Sequence, residues 1–343
     1  MFEYMTVQEA ASQWNISARR VQVLCRNGQL SGAIKAGKSW LIPKSCTKPE
    51  DQRIRSGDYI GWRKKYRKEN TERIANKEPV HDALRIDGAL WERVPVRRLN
   101  IEDLDQNAIR IFKEKAVESG RLSKEEVSVN DSMLMKKLML VDEDGYLIRA
   151  GMLAFYDNPE RFVTGSGIRI GYFEASDADL RFQDLIQGPL INQVDQAVDL
   201  VYLKYMKGLI YYDGIQRVEQ YMFPKKAFRE LLLNAVIHKD YASSNPIQIS
   251  VYPDHFCIFN AGSLPEDLKS AARLYQKHAS IPYNPRLARV FFLSGMVETW
   301  GRGFEVIKTA CEDWNCPLPE YMSTGGVMFT GKACPKYLEL LYQ

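Results

Sequence analysis

The sequence predicts an α+β protein with an N-terminal winged helix-turn-helix, a mixed α/β middle region and a C-terminal α/β sandwich. Two short helix patterns followed by a hairpin pattern open the chain. Strand-like and helix-like segments alternate through the middle, and an almost wholly apolar helix precedes two alternating strands near the end. We divide the 343 residues into regions 1–50, 51–79, 80–221 and 222–343, of which 51–79 is a charged linker.

Bulk composition predicts a globular protein of the cytoplasm. No segment approaches the roughly 18 apolar residues that cross a bilayer, and the first residues lack the basic and apolar regions of a signal peptide. The six cysteines are scattered, without a Cys-x-x-Cys pair, which favours reduced thiols over a zinc site.

Charge is distributed unevenly along the chain. Residues 1–73 contain fifteen Lys and Arg and seven Asp and Glu, so they carry a net +8, whereas the whole chain carries +4. A basic N-terminal segment followed by a mildly acidic remainder predicts nucleic-acid contact at the N-terminus.

The first helix begins at a capping box, Thr6-Val7-Gln8-Glu9. One face of it is apolar, with Val7, Ala10, Ala11 and Trp14 at helical spacing. Ser17 is a good N-cap for a second helix over residues 18–27, which Gly28 ends.

The second helix has two different faces. Ala18, Val21, Leu24 and Cys25 point inward, whereas Arg19, Gln22, Val23 and Arg26 fall on the opposite side. Arginine and glutamine read base edges in the major groove. A hairpin turning near Gly37 follows, with two lysines near its tip that suit backbone phosphates. The predicted DNA-binding set is Ser17, Arg19, Arg20, Gln22, Arg26, Lys35 and Lys38.

These first residues resemble the excisionase and MerR-like DNA-binding domains. The motif "T-x-x-E-A-A" leads through "I-S-x-R-x-V" into a wing "G-x-L-x-G…G-x-x-W-x-I-P", here from Thr6 to Pro43. The resemblance implies that the helix carrying Arg19 and Arg26 enters the major groove. The alternative is a small helical domain that docks protein, with solvated arginines.

A basic run, Arg63 to Lys68, lies in the charged stretch that follows the wing. Such a run is a solvated surface or tether, or it adds phosphate contacts without sequence information. Region 80–221 offers no phosphate loop and no cluster of catalytic residue types. Its lone His81 is interpreted as a surface residue.

The most informative segment is residues 223–241. Pro224 favours a helix start, and Glu230, Asn234 and His238 are spaced four apart, so they form one polar stripe on an otherwise apolar helix. A buried helix with one polar stripe lines a cavity or a partner. Strands over 247–252 and 256–260 follow, then a helix after Asn284-Pro285 and a glycine-rich turn around Gly301.

This arrangement resembles the Bergerat-fold ATPases, and more closely the predicted regulators that join a helix-turn-helix to a divergent domain of that type. The motifs are "R-E-x-L-x-N-A-x-x-H-x-D-Y", "I-x-N-x-G-x-L-P", "N-P" and "E-x-x-G-x-G", which occur here in order from Arg229 to Gly303. Four ordered motifs make the resemblance specific.

The resemblance implies ATP and Mg²⁺ as ligands. It makes Glu230 the catalytic base that activates water and Asn234 the metal ligand, and it places Asn260 against the adenine amino group. The implied nucleotide-binding set is Asn234, His238, Asn260, Gly262, Gly301, Arg302 and Gly303. Asn260 replaces the usual aspartate, and the lid glycines are few, so both binding and hydrolysis are left open.

Three functions are compatible with the sequence. The first is a DNA-binding transcriptional regulator, expected to be a homodimer, whose C-terminal domain senses a ligand or mediates dimerisation. The second is a DNA-targeted Mg²⁺-dependent ATPase of mobile-element or defence systems. The third is an interaction scaffold with a degenerate nucleotide fold.

Overall fold

The computed structural model describes residues 4–14, 16–26, 28, 30–36, 39–48, 91–264, 271–276, 281–297, 302–323 and 325–343. The chain forms two compact units, Met1–Val80 and His81–Gln343. The fold is of the predicted α+β class, with an N-terminal helix-turn-helix and a C-terminal mixed sheet.

The first unit combines two helices with a small antiparallel sheet. Its elements are β1 (Tyr4–Thr6), α1 (Val7–Trp14), α2 (Ala18–Arg26), β2 (Ile34–Ala36) and β3 (Ser39–Pro43). The sheet order is β1-β3-β2. The helices and the hairpin lie where the sequence predicts them, whereas β1 is a finding of the structure.

The core of the first unit explains this arrangement. Thr6 and Glu9 form the predicted capping box: the Thr6 amide donates to Glu9 Oε2 at 2.7 Å, and the Glu9 amide donates to Thr6 Oγ1 at 3.3 Å. Strand β1 pairs Met5 with Ile42 on β3, and both side chains are buried. The rest of the buried cluster is Ala10, Trp14, Val21, Leu24, Cys25 and Leu30.

The second unit is built on a six-stranded sheet. Its strands are β4 (Ile168–Phe173), β5 (Leu180–Ile186), β8 (Ile247–Val251), β9 (His255–Asn260), β10 (Glu320–Ser323) and β11 (Val327–Lys332), and β6 (Leu209–Asp213) and β7 (Gln216–Gln220) form a separate hairpin. The order in the large sheet is β10-β11-β9-β8-β4-β5. All neighbours are antiparallel except β4 and β8, which are parallel. Two strands therefore come from region 80–221 and four from region 222–343.

The helices of the second unit that the structure describes differ widely in length. They are α3 (Gln106–Glu118), α4 (Lys124–Val127), α5 (Asp131–Lys137), α6 (Arg149–Phe155), α7 (Leu190–Leu200), α8 (Lys225–His238), α9 (Ala271–Leu274), α10 (Pro285–Leu293), α11 (Gly303–Asp313) and α12 (Pro335–Leu341). Helix α8 is the central one. Phe228 on α8 packs edge-on against Phe256 of β9, with ring centroids 5.0 Å apart.

Two helical segments of the second unit change helix type along their length. Residues 101–118 form a 3₁₀ turn, Ile101–Asp103, followed by α3, whose new N-cap is Asp105. The Asp105 side chain accepts the Asn107 and Ala108 amides, so a fresh helix starts there. The segment 188–206 forms α7 and then a π-helical turn, Val201–Tyr205.

Smaller features concern a single bridge, the cysteines and the lengths of the helices. Pro95 forms an isolated antiparallel bridge to Ile148. All six cysteines are free thiols. Across the described ranges, every helix falls short of the length and apolarity that a membrane crossing demands.

Candidate functional site

The exposed face of α2 carries the predicted DNA-binding side chains. Arg19, Gln22 and Arg26 are exposed, whereas Val21 and Leu24 on the other face are buried in the first unit's core. The hydrophobic effect therefore fixes which face the helix presents, since turning it over would expose its apolar side.

The flanking predicted residues divide into two groups. Ser17 begins the helix, and its hydroxyl accepts the Arg20 amide at 3.3 Å, so Ser17 caps α2. Arg20 is half-buried. Lys35 is exposed on β2, and Lys38 lies outside the described residues.

In the second unit, the polar stripe of α8 (Glu230, Asn234 and His238) is half-buried, while the rest of the helix beyond its first turn is mostly buried. The C-terminal end of α8 is held by Asn284. The Asn284 amide donates to the carbonyls of Ile237 and Lys239, both at 2.8 Å. These bonds satisfy carbonyls that a helix end leaves without partners.

Gly303, the first residue of α11, lies against the polar stripe. A Cβ built on Gly303 would come under 3.0 Å from Glu230 Oε1 and 3.3 Å from Asn234 Nδ2. A side chain at this position would therefore displace the Glu230 carboxylate. Among the described residues, no side chain caps the start of α11, and the first amides of a helix can receive an anion.

The Asn234 Nδ2 atom points into this meeting place. The atom is buried and makes no hydrogen bond to any described residue. A buried amide without a partner costs about 1–3 kcal/mol, so such an atom indicates a ligand position. Rotating the amide by half a turn presents its oxygen instead. An amide oxygen is a ligand that suits Mg²⁺, and the Glu230 carboxylate beside it can accept a proton from water, so the residues present fit a magnesium nucleotide.

The other end of α8 meets the end of β9. Asn260 is only 3% exposed, and its Nδ2 donates to the Ala235 carbonyl at 3.2 Å. That bond uses the amide nitrogen and orients the Oδ1 atom as an acceptor. A Cβ on Gly262 would lie 2.7 Å from the His238 carbonyl, so glycine permits this close approach.

The structure therefore brings the implied nucleotide residues to two places on one helix. Glu230, Asn234 and Gly303 meet at one, and His238, Asn260 and Gly262 meet at the other. Eight residues of helix separate Glu230 from His238, a rise of about 12 Å. Arg302 is exposed, with its Nε 3.6 Å from a Glu305 oxygen, and Gly301 lies outside the described residues.

Two charged residues near this site gave no signal in the sequence. Glu92 is 1% exposed and accepts the amides of Arg286 at 2.6 Å and Leu287 at 3.1 Å, at the start of α10. Burial raises the pKa of Glu92 to about 7, although these bonds oppose the shift. Lys239 follows α8 and is fully buried, and burial lowers its pKa to about 8. Neither could be distinguished from a surface charge without the tertiary fold.

Two family models match the chain. Residues 4–46 match "Helix-turn-helix domain", and residues 244–330 match the ATPase-type family "Putative ATP-dependent DNA helicase recG C-terminal". The second match begins after α8, so Glu230, Asn234 and His238 precede it. Asn260, Gly262, Arg302 and Gly303 lie within it.

A solved structure shares the fold. It is the crystal structure of the DIP2311 protein from Corynebacterium diphtheriae, which is 20% identical with a TM-score of 0.57. The similarity covers 74% of this chain and 49% of that chain, so our chain spans about half of that protein's length. No curated protein shows significant similarity. The chain therefore carries a helix-turn-helix domain at its N-terminus and an ATPase-like domain, matching the RecG C-terminal family, at its C-terminus.

Proposed function

We propose that this protein is a DNA-binding transcriptional regulator whose second unit binds an adenine nucleotide with Mg²⁺. The observation that carries the proposal is the face of α2, where Arg19, Gln22 and Arg26 are exposed opposite a buried apolar face. In this role α2 enters the major groove, and Lys35 and Lys38 of the wing contact phosphates.

The DNA half is tested by anisotropy on a duplex selected from a random-sequence pool, using the full chain. One bidentate arginine contributes about 1–3 kcal/mol of discrimination, so R19Q/R26Q is expected to weaken binding roughly 30-fold or more. K44Q/K48Q removes the same charge from exposed positions of the first unit outside α2 and serves as the matched control. Equal affinities for the two double variants would contradict the role of α2.

The nucleotide half rests on the contacts around α8. Asn234 would hold Mg²⁺, which supplies positive charge to the phosphates, with the Glu230 carboxylate beside it. The uncapped amides at the start of α11 would receive a phosphate, with Arg302 beside them. Asn260 would accept a hydrogen bond from the adenine amino group, and Gly262 and His238 would border the base.

A second candidate is a DNA-targeted Mg²⁺-dependent ATPase. The contact that favours it is the Glu230 carboxylate against Gly303, because it places an acceptor for a water proton next to the predicted phosphate position. Phosphate release is measured with and without DNA for wild type and E230Q. ATP hydrolysis by wild type that E230Q abolishes supports the ATPase. If wild type binds nucleotide but does not hydrolyse it, the ATPase is refuted and the regulator is supported.

We further propose that the protein acts as a homodimer in the cytoplasm. Helix-turn-helix proteins commonly bind paired half-sites with matching two-fold symmetry. Light scattering on the purified chain, with and without nucleotide, is expected to give twice the chain mass of 39.5 kDa. A mass of one chain under both conditions would refute the dimer.

A further inference from the structure

Six arginines lie on neighbouring surface segments of the second unit. Four are exposed and two are half-buried, and we call the set the arginine patch: Arg93, Arg97, Arg98, Arg149, Arg286 and Arg289. Backbone bonds join the segments that carry them. The Arg149 amide donates to the Val94 carbonyl at 3.0 Å, and the Val96 amide donates to the Leu147 carbonyl at 2.7 Å. The Arg286 amide donates to Glu92 at 2.6 Å, which adds the start of α10.

Ring and sulfur contacts hold three of these guanidinium groups in place. The Arg97 guanidinium lies 5.5 Å from the Tyr146 ring centroid, and that of Arg149 lies 4.5 Å from the Trp91 ring centroid. Arg286 Nη1 contacts Met139 Sδ at 2.8 Å. Such contacts orient a guanidinium group without neutralising its charge.

Arg93 and Arg286 interact electrostatically with the buried Glu92 carboxylate, but among the described residues the arginine patch lacks the close ion pairs that other cations of this unit form. Within the part of the chain that the structure describes, none of the six forms an ion pair, whereas Lys115 and Arg229 share Asp195. Nearby, Glu92 is buried and bound to backbone amides. The segment Asp142–Asp144, which precedes Tyr146 in the chain, has three acidic residues, fewer than the six arginines.

We propose that the arginine patch binds the phosphate backbone of duplex DNA, as a contact surface separate from the helix-turn-helix. Arginine forks match phosphate oxygens, and charges spread over an exposed surface suit a polymer better than a small anion. Such contacts carry no sequence information, so the patch adds affinity and salt dependence.

Chain connectivity favours DNA over other polyanions. Arg93 follows the end of the first unit at Val80 by thirteen residues. A duplex held by the first unit is therefore tethered to the second through the chain, which raises its effective concentration there. The choice of DNA as the partner rests on the proposed function, and the experiment tests the arginine patch and the helix α2 separately.

The test measures how the affinity of the full chain for a non-specific duplex depends on salt. R97Q/R98Q/R289Q removes three exposed patch charges. R161Q/R169Q/R217Q removes three exposed arginines elsewhere on the second unit and is the matched control. Each phosphate contact contributes about 0.9 to the slope of log affinity against log salt, so the patch variant is expected to lose about 2–3 from that slope. The control is expected to lose less than about 1.

The outcomes distinguish the two proposals. An unchanged slope in the patch variant overturns the patch, even when R19Q/R26Q shows that the helix-turn-helix binds DNA. A reduced slope in the patch variant alone, with R19Q/R26Q unaffected, supports the patch and contradicts the role of α2. Equally tight binding of wild type to poly-glutamate or to vesicles of anionic lipid would overturn the assignment of DNA.

Discussion

Replacing Glu92 by glutamine is expected to change how the stability of the second unit depends on pH. Glu92 is buried and accepts two amides at the start of α10, and burial raises its pKa from 4.5 to about 7. Well below pH 4.5 the group is protonated in both the folded and the unfolded states. Between 4.5 and 7 the unfolded chain releases the proton first, so the folded state becomes progressively less favoured as the pH rises.

The size of the effect follows from the shift. Each pKa unit corresponds to 1.36 kcal/mol, so ionising Glu92 costs the folded state about 3 kcal/mol in total. E92Q carries no titrating group at this position. The free energy of unfolding of wild type minus that of E92Q is therefore expected to fall by about 2–3 kcal/mol between pH 5 and pH 8.

The assay is urea unfolding at pH 5, 6, 7 and 8. Circular dichroism monitors the unfolding transition of the second, larger unit. E126Q makes the same change at an exposed helix start, where Glu126 accepts the Ser123 amide at 2.9 Å, and it controls for the substitution itself. A wild-type-minus-E92Q difference that is constant over this range, or that grows with pH, would refute the reasoning.

Three further predictions concern the neighbourhood of α8. G303A brings a Cβ against Glu230, so it is expected to weaken nucleotide binding at least tenfold in calorimetry, while T309A, exposed on the same helix, leaves it unchanged. N284A removes two hydrogen bonds to the Ile237 and Lys239 carbonyls, so thermal unfolding is expected to show a free energy of unfolding about 2–4 kcal/mol lower than that of wild type. A decrease of less than about 0.5 kcal/mol would contradict the capping role. Burial lowers the pKa of Lys239 from 10.5 to about 8, so between these pH values the folded state binds fewer protons than the unfolded chain. The free energy of unfolding of wild type is therefore expected to rise by up to about 3 kcal/mol relative to that of K239M between pH 8 and 10.5. Urea titrations over this range measure the difference, and a difference that does not rise with pH would contradict the prediction.

The elements set by local patterns could be predicted from the sequence. The capping box at Thr6, the two faces of α2 and the polar stripe of α8 all follow from spacing along one helix, and the structure confirms these features. Their signals are local because side chains three or four residues apart share a helix face.

Features that depend on distant partners could not be predicted. The three-residue strand β1 exists because β3, more than thirty residues later, supplies its hydrogen bonds. The parallel pairing of β4 with β8 joins segments about eighty residues apart. Lys239 and Glu92 are ordinary charged residues in sequence, and their burial becomes visible only when α8 and α10 are packed.

The central claim is that the polar stripe of α8 and the start of α11 form a nucleotide site in a DNA-binding chain. Isothermal titration of the full chain with Mg²⁺-ATP and with ADP tests it most directly. We predict saturable binding at one site per chain that disappears in N234A and persists in T309A. An absence of binding in wild type, or equal binding in wild type and N234A, would contradict the account.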